Sequence, residues 1–361
     1  MSSLIEGASV VLKFTPQHAL LGGSLIGIAA VGKLFLTGRV LGVSGAIKGI
    51  VNGDTAPWRP AFLSGLIAGG LALSHYLPSA FEVLPETYTV SRATVGGFLV
   101  GLGAALGNGC TSGHGICGNA RLSLRSLAFT LMFMASGAAS CFLSGAAKAA
   151  GIANVAPAFV AASVTDVKTV ATTAAAAIAG FSLLGKIGQS VSGSIKSVVE
   201  KVATGTSGFV FALGLGFAGM CRPSKVIGFL NLAGPWDPTL MFVMGSAVVI
   251  SAAGYAAIQK FKVLEKPVVC EAFSISTLSN IDKKLLIGAA LFGAGWGIGG
   301  ICPGPGVVSA AEMSPQVLAY LGSLCLGMVV ERLISKAAPG CQCPASSGSK
   351  TEGESSKKKA Q

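Results

Sequence analysis

The segment GLGAALGNGCTSGHGICG, which runs from Gly101 to Gly118, contains Cys110 and is matched by GAGWGIGGICPGPG, which starts at Gly293 and contains Cys302. When the two segments are aligned on these cysteines, glycines coincide at 101 and 293, 103 and 295, and 107 and 299. Both segments follow an apolar run and become rich in glycine or proline at the cysteine. In a hydrophobic chain this pattern predicts two broken membrane helices that bring a pair of thiols together.

The composition is that of a membrane protein. Hydrophobic residues make up 52% of the chain and charged residues 11%, whereas about a quarter of the residues in a soluble domain are charged. Mean hydropathy is +0.71. Apolar stretches lie at about 19–37, 61–78, 94–107, 126–147, 170–185, 208–220, 239–258, 284–300 and 316–334. Because a full span takes about 20 apolar residues, we expect an all-α polytopic membrane protein with about 8–10 membrane helices, the shorter ones broken or re-entrant.

The duplication extends beyond the cysteine segments. Residues 38–48 (GRVLGVSGAIK) resemble residues 213–225 (LGLGFAGMCRPSK), and a Trp-x-Pro sequence follows each, at Trp58 and Trp236. Internal duplication is a common way to build transporters, with the substrate site at the interface between the repeats. The short segments leave open whether the repeats are parallel or inverted. The predicted organisation is an N-terminal segment (1–18), a first membrane repeat (19–150), an intervening helix and interfacial linker (151–207), a second membrane repeat (208–336) and a disordered basic tail (337–361).

The distribution of charge indicates membrane topology rather than a nucleic-acid surface. The net charge of +12 is spread over short loops and the tail. Lysines flank the connection 260–284 and close the tail at 357–359, and the positive-inside rule places both on the cytoplasmic side. Basic residues in other loops weaken this assignment; they are Arg121, Arg125, Lys186, Lys196 and Lys201. No signal peptide is evident at the N-terminus, and we expect a multi-pass protein of the plasma or inner membrane.

The nine cysteines do not form the pattern of a disulfide framework. Cys110, His114 and Cys117 have a spacing that would suit three zinc ligands, but no carboxylate lies between Glu86 and Asp166 to orient the histidine. We therefore expect no metal, no cofactor and no enzymatic nucleophile. The main alternative to transport is a membrane thiol–disulfide oxidoreductase that uses Cys110 with Cys302 or Cys117. Such an enzyme would normally have a close Cys-x-x-Cys pair or a quinone site, and neither is evident.

These motifs resemble the YeeE/YedE sulfur-transport family over most of residues 20–335. The resemblance rests on GNGCTSGHG (107–115), GMCRPSKVIGFL (219–230) with the following Trp-Asp-Pro, and GWGIGGICPGP (295–305). It implies an hourglass-shaped helical membrane protein that takes up thiosulfate along a path of cysteines, of which Cys110 and Cys302 are two by motif. Some family members have a third cysteine after the Gly-Arg of the first repeat. Here Val40 and Leu41 follow Gly38-Arg39, and Cys221 in the second repeat is the candidate substitute.

The predicted site is a weak, glycine-rich path for a small dianion. The N-termini of half-helices supply N–H donors and partial positive charge, glycines allow close backbone approach, and a protonated thiol contacts the terminal sulfur. His114 is either a donor at the mouth or the cap of a turn. The predicted substrate-binding residues are Cys110, Cys302, Cys221, His114, Gly109 and Gly300. The partners are thiosulfate or a similar small anion, the lipid bilayer and a candidate cytosolic sulfur-accepting protein, without nucleic acid.

Overall fold

The computed structural model describes residues 9–337, and these residues are almost entirely helical. The helices are α1 (Pro16–Thr37), α2 (Val43–Val51), α3 (Trp58–Tyr76), α4 (Val90–Gly107), α5 (Leu124–Leu143), α6 (Ala146–Ala149), α7 (Val164–Ser190), α8 (Gly193–Phe217), α9 (Pro223–Leu230), α10 (Thr239–Gln259), α11 (Lys283–Gly299), α12 (Pro303–Ser309) and α13 (Pro315–Ala337). A π-helical turn spans Thr111–Gly118, and 3-10 turns span Pro78–Ala80 and Ala310–Glu312. Two short strands, β1 (Lys13–Phe14) and β2 (Ala158–Phe159), pair in parallel.

Eight segments of the described chain are long and apolar enough to cross a membrane. They comprise α1, α4, α5, α7, α8, α10, α13 and the segment from α11 to Glu312. The predicted fold class, an all-α polytopic membrane protein, is therefore confirmed. The predicted span at 208–220 is longer than expected, because α8 begins at Gly193. In its first half, Val199 and Ala203 are buried while neighbouring side chains are exposed, so residues 193–207 form the start of α8 with one face packed on the protein. The predicted tail, 337–361, lies outside the described residues apart from its first position.

Four long helices end at a residue in the left-handed conformation, and each is followed by a short helical segment. These residues are Gly38 after α1 (φ 70°), Asn108 after α4 (φ 57°), Gly219 after α8 (φ 72°) and Gly300 after α11 (φ 65°). A left-handed residue is a common way to stop a helix, and glycine adopts this conformation without steric cost. The following segments, α2, the π-helical turn, α9 and α12, have nine residues or fewer. At about 1.5 Å per residue they are too short to cross a bilayer.

Glycines bring α4 and α11 into close antiparallel contact. A Cβ atom added to Gly96 would lie 3.0 Å from the carbonyl oxygen of Gly295, and one added to Gly103 would lie 2.5 Å from that of Gly288. Thus the start of α4 meets the end of α11, and the end of α4 meets the start of α11. Helices in membranes associate through such small residues because these residues let the backbones approach closely.

The same arrangement recurs between α1 and α8. A Cβ atom at Gly22 would lie 2.5 Å from the Ala218 nitrogen, and one at Gly214 would lie 2.9 Å from the Ile26 nitrogen, so these helices are also antiparallel. The remaining major contacts come in matched pairs: α1 packs on α10 as α8 packs on α3, and α4 packs on α13 as α11 packs on α5. The long helices of residues 16–143 therefore pack mainly against those of residues 193–337.

Most basic residues lie at one end of the bundle, where α1 and α4 end and α8 and α11 begin; we call this the basic end. Arg121 donates to the carbonyl oxygen of Ser276 at 3.0 Å, and Lys196 pairs with Glu271 at 3.4 Å. Basic residues from segments far apart in the sequence, which made the membrane orientation ambiguous, thus lie at the same end of the bundle. The basic residues there are Arg39, Lys48, Arg59, Arg121, Arg125, Lys186, Lys196, Lys201, Lys260, Lys262, Lys266, Lys283, Lys284, Arg332 and Lys336. The other end, called the opposite end, has Lys13, Arg92, Lys148, Lys168, Arg222 and Lys225.

We expect Gly103→Ala to destabilise the bundle by about 1–3 kcal/mol, the usual cost of overpacking a tight contact. The added methyl group would lie 2.5 Å from the Gly288 carbonyl oxygen, so α4 and α11 must separate. Thermal unfolding of the detergent-solubilised protein measures the effect. Gly322→Ala in α13 is the matched control, since a Cβ atom there meets nothing within 4 Å. Equal melting temperatures for the two variants would contradict the assigned contact.

Candidate functional site

Cys110 and Cys302 occupy the same position relative to the two breaks. Cys110 is the N-terminal cap residue of the π-helical turn after α4, and Cys302 is that of α12 after α11. Their exposed fractions are 1% and 2%, respectively. The sulfur of Cys110 lies 3.3 Å from the hydroxyl oxygen of Ser112, and Ser112 and its neighbour Thr111 line the same cavity as Cys302. The fold therefore brings the two predicted thiols to one place, at facing helix breaks.

Cys302 lines a cavity of about 500 Å³, called here the Cys302 cavity. Thr111 and Ser112 from the facing π-helical turn also line it, next to Cys110. Its other walls are mostly apolar side chains of α5, α8 and α10, among them Phe133, Phe211, Leu215, Val243, Met244 and Val248. The cavity thus gives a small solute contact with a thiol and two hydroxyl groups inside an otherwise apolar surround.

A second cavity, of about 350 Å³, lies at the basic end and is called the basic-end cavity. Gly109 and His114 line it together with three arginines, Arg59, Arg121 and Arg125. Arg59 is paired with Asp54, and Arg125 lies 3.8 Å from Asp282; Arg121 donates to backbone carbonyl groups. Serine side chains and the backbone of the α1–α2 turn complete the walls. This polar, cationic surface is suited to a small anion.

His114 caps a helix end at the border of the basic-end cavity. Its Nε2 lies 3.2 Å from the carbonyl oxygen of Gly107, and its Nδ1 lies 2.9 Å from the hydroxyl of Ser126. The ring stacks on Phe129 with 4.3 Å between centroids. Both ring nitrogens therefore have protein partners, which favours the capping role among the two considered for this residue.

A third cavity, of about 40 Å³, lies at the opposite end and is called the opposite-end cavity. Cys221 and Gly300 line it, as do Glu82 and Glu312. Cys221 lies in the connection between α8 and α9 and is 5% exposed. The predicted site residues thus fall into three groups along the bundle: Gly109 and His114 at the basic end, Cys110 and Cys302 between α4 and α11, and Cys221 and Gly300 at the opposite end.

A buried ion pair holds α9 in place beside the opposite-end cavity. The ammonium group of Lys225 lies 2.9 Å from a carboxylate oxygen of Asp237, and the two side chains are 5% and 0% exposed. The ammonium group also donates to the hydroxyl groups of Thr15 and Thr239, and Asp237 accepts from the backbone N–H of Thr239. A buried pair persists only when such hydrogen bonds satisfy both ions. The Trp-Asp-Pro sequence therefore anchors the short helix to α10 and to the segment before α1.

At both breaks, side chains donate hydrogen bonds to the backbone carbonyl groups at the end of the helix. After α4, Lys48 donates to Ala105 at 2.8 Å, in addition to the contact of His114 with Gly107. A helix leaves its last carbonyl groups without partners, and these carry partial negative charge. The two caps reduce that charge at the end of α4.

At the end of α11 the caps come from other elements of the fold. The hydroxyl of Tyr88 donates to Gly299, that of Tyr320 donates to Ile301 at 2.8 Å, and Arg92 donates to Ile298 at 3.0 Å. Gly107 and Gly299 are counterparts in the sequence alignment, yet histidine caps one and tyrosine the other. Sequence analysis missed Tyr88, Tyr320 and Arg92 because no motif marks them and two of the contacts join residues more than 200 positions apart.

The Cys110, His114 and Cys117 spacing does not produce a ligand cluster in the described part of the chain. The thiol of Cys117 donates to the carbonyl oxygen of Leu41 at 3.5 Å. Both histidine nitrogens are engaged as described above. The three residues therefore serve separate local contacts.

Comparison with known proteins gives two family matches, one to each half of the chain. Residues 8–139 match the family described as sulphur transport, and residues 199–341 match a family of unknown function. A probable transporter of Xylella fastidiosa strain Temecula1 is 36% identical over 125 residues, which are 34% of this chain and 82% of the relative. A second probable transporter of the same strain is 38% identical over 128 residues, 36% of this chain and 94% of the relative. Similar proteins from strain 9a5c match equally well.

Proposed function

Because the chain belongs to the sulphur transport family of membrane transporters, we propose that it takes up thiosulfate or a related small sulfur oxyanion. The observation that carries the proposal is the pair of thiols, Cys110 and Cys302, at facing helix breaks beside the Cys302 cavity. The anion would pass from the opposite-end cavity with Cys221, along the two thiols, to the basic-end cavity with its three arginines. Cys221 would stand in for the thiol that the first repeat lacks.

The two halves act, in this proposal, as inverted repeats. The antiparallel contacts of α4 with α11 and of α1 with α8 support this orientation, as do the matched pairs of the other helices. Inversion directs the first-half break, after Asn108, and the second-half break, after Gly300, towards opposite ends of the bundle. The proposed path joins the Cys302 cavity, of about 500 Å³, to a smaller cavity at each end, of about 350 Å³ and about 40 Å³.

The basic end is proposed to face the cytoplasm of the plasma or inner membrane. Of the 22 lysines and arginines in residues 9–337, fifteen lie at this end, six lie at the opposite end and one, Lys33, is buried within α1. This is the asymmetry that the positive-inside rule describes. Helix α13 ends there, so the C-terminal tail would be cytoplasmic as well. A cytosolic sulfur-accepting protein would then meet the anion at the arginine-lined cavity.

Passage of a dianion requires several weak sites rather than one tight site. Removing the ion from water into an apolar core is costly unless hydrogen bonds replace its hydration. Hydroxyl donors at Thr111 and Ser112, the thiols and the N-termini of short helices supply these contacts. The side-chain caps on Gly107 and Gly299 remove negative charge that would repel the ion. The path thus offers many contacts, each weak enough to release the anion.

Uptake of labelled thiosulfate by purified protein in liposomes, with and without a proton gradient, tests the proposal. We expect saturable uptake that unlabelled thiosulfate inhibits. Unlabelled sulfite and a selenium-containing analogue are added as competitors. If one of them inhibits the uptake of labelled thiosulfate more strongly than thiosulfate itself does, that anion is the better substrate. Liposomes that accumulate none of these anions above protein-free controls would rule out the proposed function.

A further inference from the structure

Glu82 binds the N-terminus of α9 with its carboxylate group. This residue lies between the turn Pro78–Ala80 and α4, outside the membrane-spanning helices. Its Oε2 accepts a hydrogen bond of 3.1 Å from the backbone N–H of Ser224, the second residue of α9. The N-terminus of a helix attracts anions because its N–H groups are free and the helix dipole is positive there. A negative group from the protein itself therefore occupies a position suited to a transported anion.

The carboxylate of Glu82 lines the smallest of the three cavities. Glu82 and Cys221 both line the opposite-end cavity, which measures about 40 Å³ against about 500 Å³ for the Cys302 cavity. Arg222 is the N-cap residue of α9, and its guanidinium group donates to the carbonyl oxygen of Ser79. Within the described residues Glu82 forms no ion pair within 4.0 Å. The carboxylate is thus held chiefly by its hydrogen bond to the N-terminus of α9, without an ion pair to a basic side chain among the described residues.

The corresponding position in the other half carries no charge. Helix α2 follows the α1 break as α9 follows the α8 break, and the N–H of its first residue, Val43, donates to the hydroxyl of Ser112 at 3.4 Å. The N-terminus of α2, beside the Cys302 cavity, therefore meets a neutral hydroxyl group where the N-terminus of α9 meets a carboxylate. The carboxylate is therefore a feature of the opposite end alone, where the proposed path begins.

We propose that Glu82 fills an outer oxyanion site, formed by the α9 N-terminus, Arg222 and Cys221, and that the transported anion must displace its carboxylate to enter. This inference rests on the proposed direction of transport. The site accepts small oxyanions because both occupants, carboxylate and substrate, offer oxygen acceptors to the Ser224 N–H. Displacement opens the narrow cavity and brings the anion next to the Cys221 thiol.

Protonation of Glu82 favours this displacement. Burial raises the pKa of Glu82 above its ordinary value, although hydrogen bonds from Ser224 and the charge of Arg222 oppose the rise. The other titratable groups that line the same cavity are Glu312 and Cys221. A group with a raised pKa takes up a proton at a higher pH than an ordinary glutamate. Mild acid outside the membrane therefore neutralises the carboxylate, which then competes less well for the helix end.

The test compares thiosulfate uptake by cells producing wild-type or Glu82→Gln protein over a range of external pH. We expect the variant to have a KM about two- to fivefold lower than wild type at neutral pH, from removal of a charge at a helix N-terminus. We expect wild-type KM to fall as the pH is lowered and the variant to lose this dependence. Glu86→Gln, at an exposed glutamate of the same loop, is the matched control and should behave as wild type.

A second measurement does not depend on thiosulfate being the substrate. Modification of Cys221 by an anionic methanethiosulfonate reagent is followed by peptide mass spectrometry and compared with modification by a cationic one. We expect Glu82→Gln to increase the ratio of anionic to cationic modification rates at Cys221, and Glu86→Gln to leave it unchanged. An unchanged ratio would overturn the inference even if uptake occurs. An increased ratio without any thiosulfate uptake would retain the outer site and reject the proposed substrate. A Glu82→Gln protein that is less stable but has an unchanged pH profile would assign Glu82 a purely structural role.

Discussion

Cys302→Ala is expected to reduce thiosulfate uptake to the background of protein-free membranes, and Cys110→Ala is expected to do the same. Both thiols lie at facing helix breaks with almost no exposure, and Cys302 lines the cavity between the repeats. Removing either sulfur takes away one of the two thiol contacts proposed for the anion. Growth on thiosulfate of a host that lacks its own uptake system, together with membrane levels of each variant, measures the effect.

Cys141→Ala is the matched control for these variants. Cys141 is 1% exposed, lies in α5 with its sulfur 3.8 Å from the Ile227 carbonyl oxygen, and is absent from the walls of the three cavities. We expect this substitution to leave uptake unchanged. If Cys110→Ala and Cys302→Ala also support normal growth, the thiols are not part of the path.

Serine variants separate hydrogen bonding from sulfur chemistry. A hydroxyl donates a hydrogen bond but forms no disulfide, so uptake by the protein with serine at both Cys110 and Cys302 would indicate that a donor suffices. Thiol trapping followed by mass spectrometry addresses the alternative function, a membrane thiol–disulfide oxidoreductase. A transport path keeps both thiols reduced during uptake, whereas accumulation of an oxidised Cys110–Cys302 pair would favour the enzyme.

Asp237→Ala is expected to destabilise the protein by about 3–5 kcal/mol, because it leaves the ammonium group of Lys225 buried without its counter-ion. Both side chains are almost completely shielded from solvent. Loss of the carboxylate also removes the acceptor for the N–H of Thr239, which begins α10. Thermal unfolding in detergent, followed by loss of the monodisperse peak in size-exclusion chromatography, measures the effect.

Two further variants test the physical reason. Lys225→Met combined with Asp237→Leu replaces both ions with apolar groups, which is often close to neutral for a buried pair, so we expect this protein to be more stable than Asp237→Ala. Asp54→Ala breaks the counterpart pair with Arg59 at the basic end, where the Asp54 side chain is 47% exposed. The loss there should be much smaller, as for other exposed pairs. Equal losses for Asp54→Ala and Asp237→Ala would contradict this account.

Composition and glycine spacing were sufficient to predict the fold class. Apolar stretches of about 20 residues form helices in a membrane because every backbone polar group needs an internal partner there. The breaks near Cys110 and Cys302 were predictable because glycine and proline interrupt the apolar runs at these points. The extent of α8 was not predictable, since residues 193–207 mix charged and apolar side chains, and Val199 and Ala203 become buried only by packing against the bundle.

Loop charge illustrates what a linear sequence conceals. Arg121 and Lys196 seemed to conflict with the assignment of the lysines around residues 260–284, because their loops lie far apart in the chain. Packing brings these loops together at the basic end, through contacts with Ser276 and Glu271. Hydropathy does not show whether a short helix crosses the membrane or turns back within it. The side of the membrane on which each basic segment lies therefore could not be counted from the sequence.

The sequence by itself determined that this is a helical membrane chain whose apolar runs break near Cys110 and Cys302, because apolar runs and glycine spacing are local features. Only the tertiary structure decided which groups meet at those breaks. The caps from Tyr88 and Arg92 on the end of α11, and the carboxylate of Glu82 on the start of α9, join residues between about 140 and 210 positions apart. Such partners are selected by buried backbone groups that need hydrogen bonds, and that need exists only after the helices have packed.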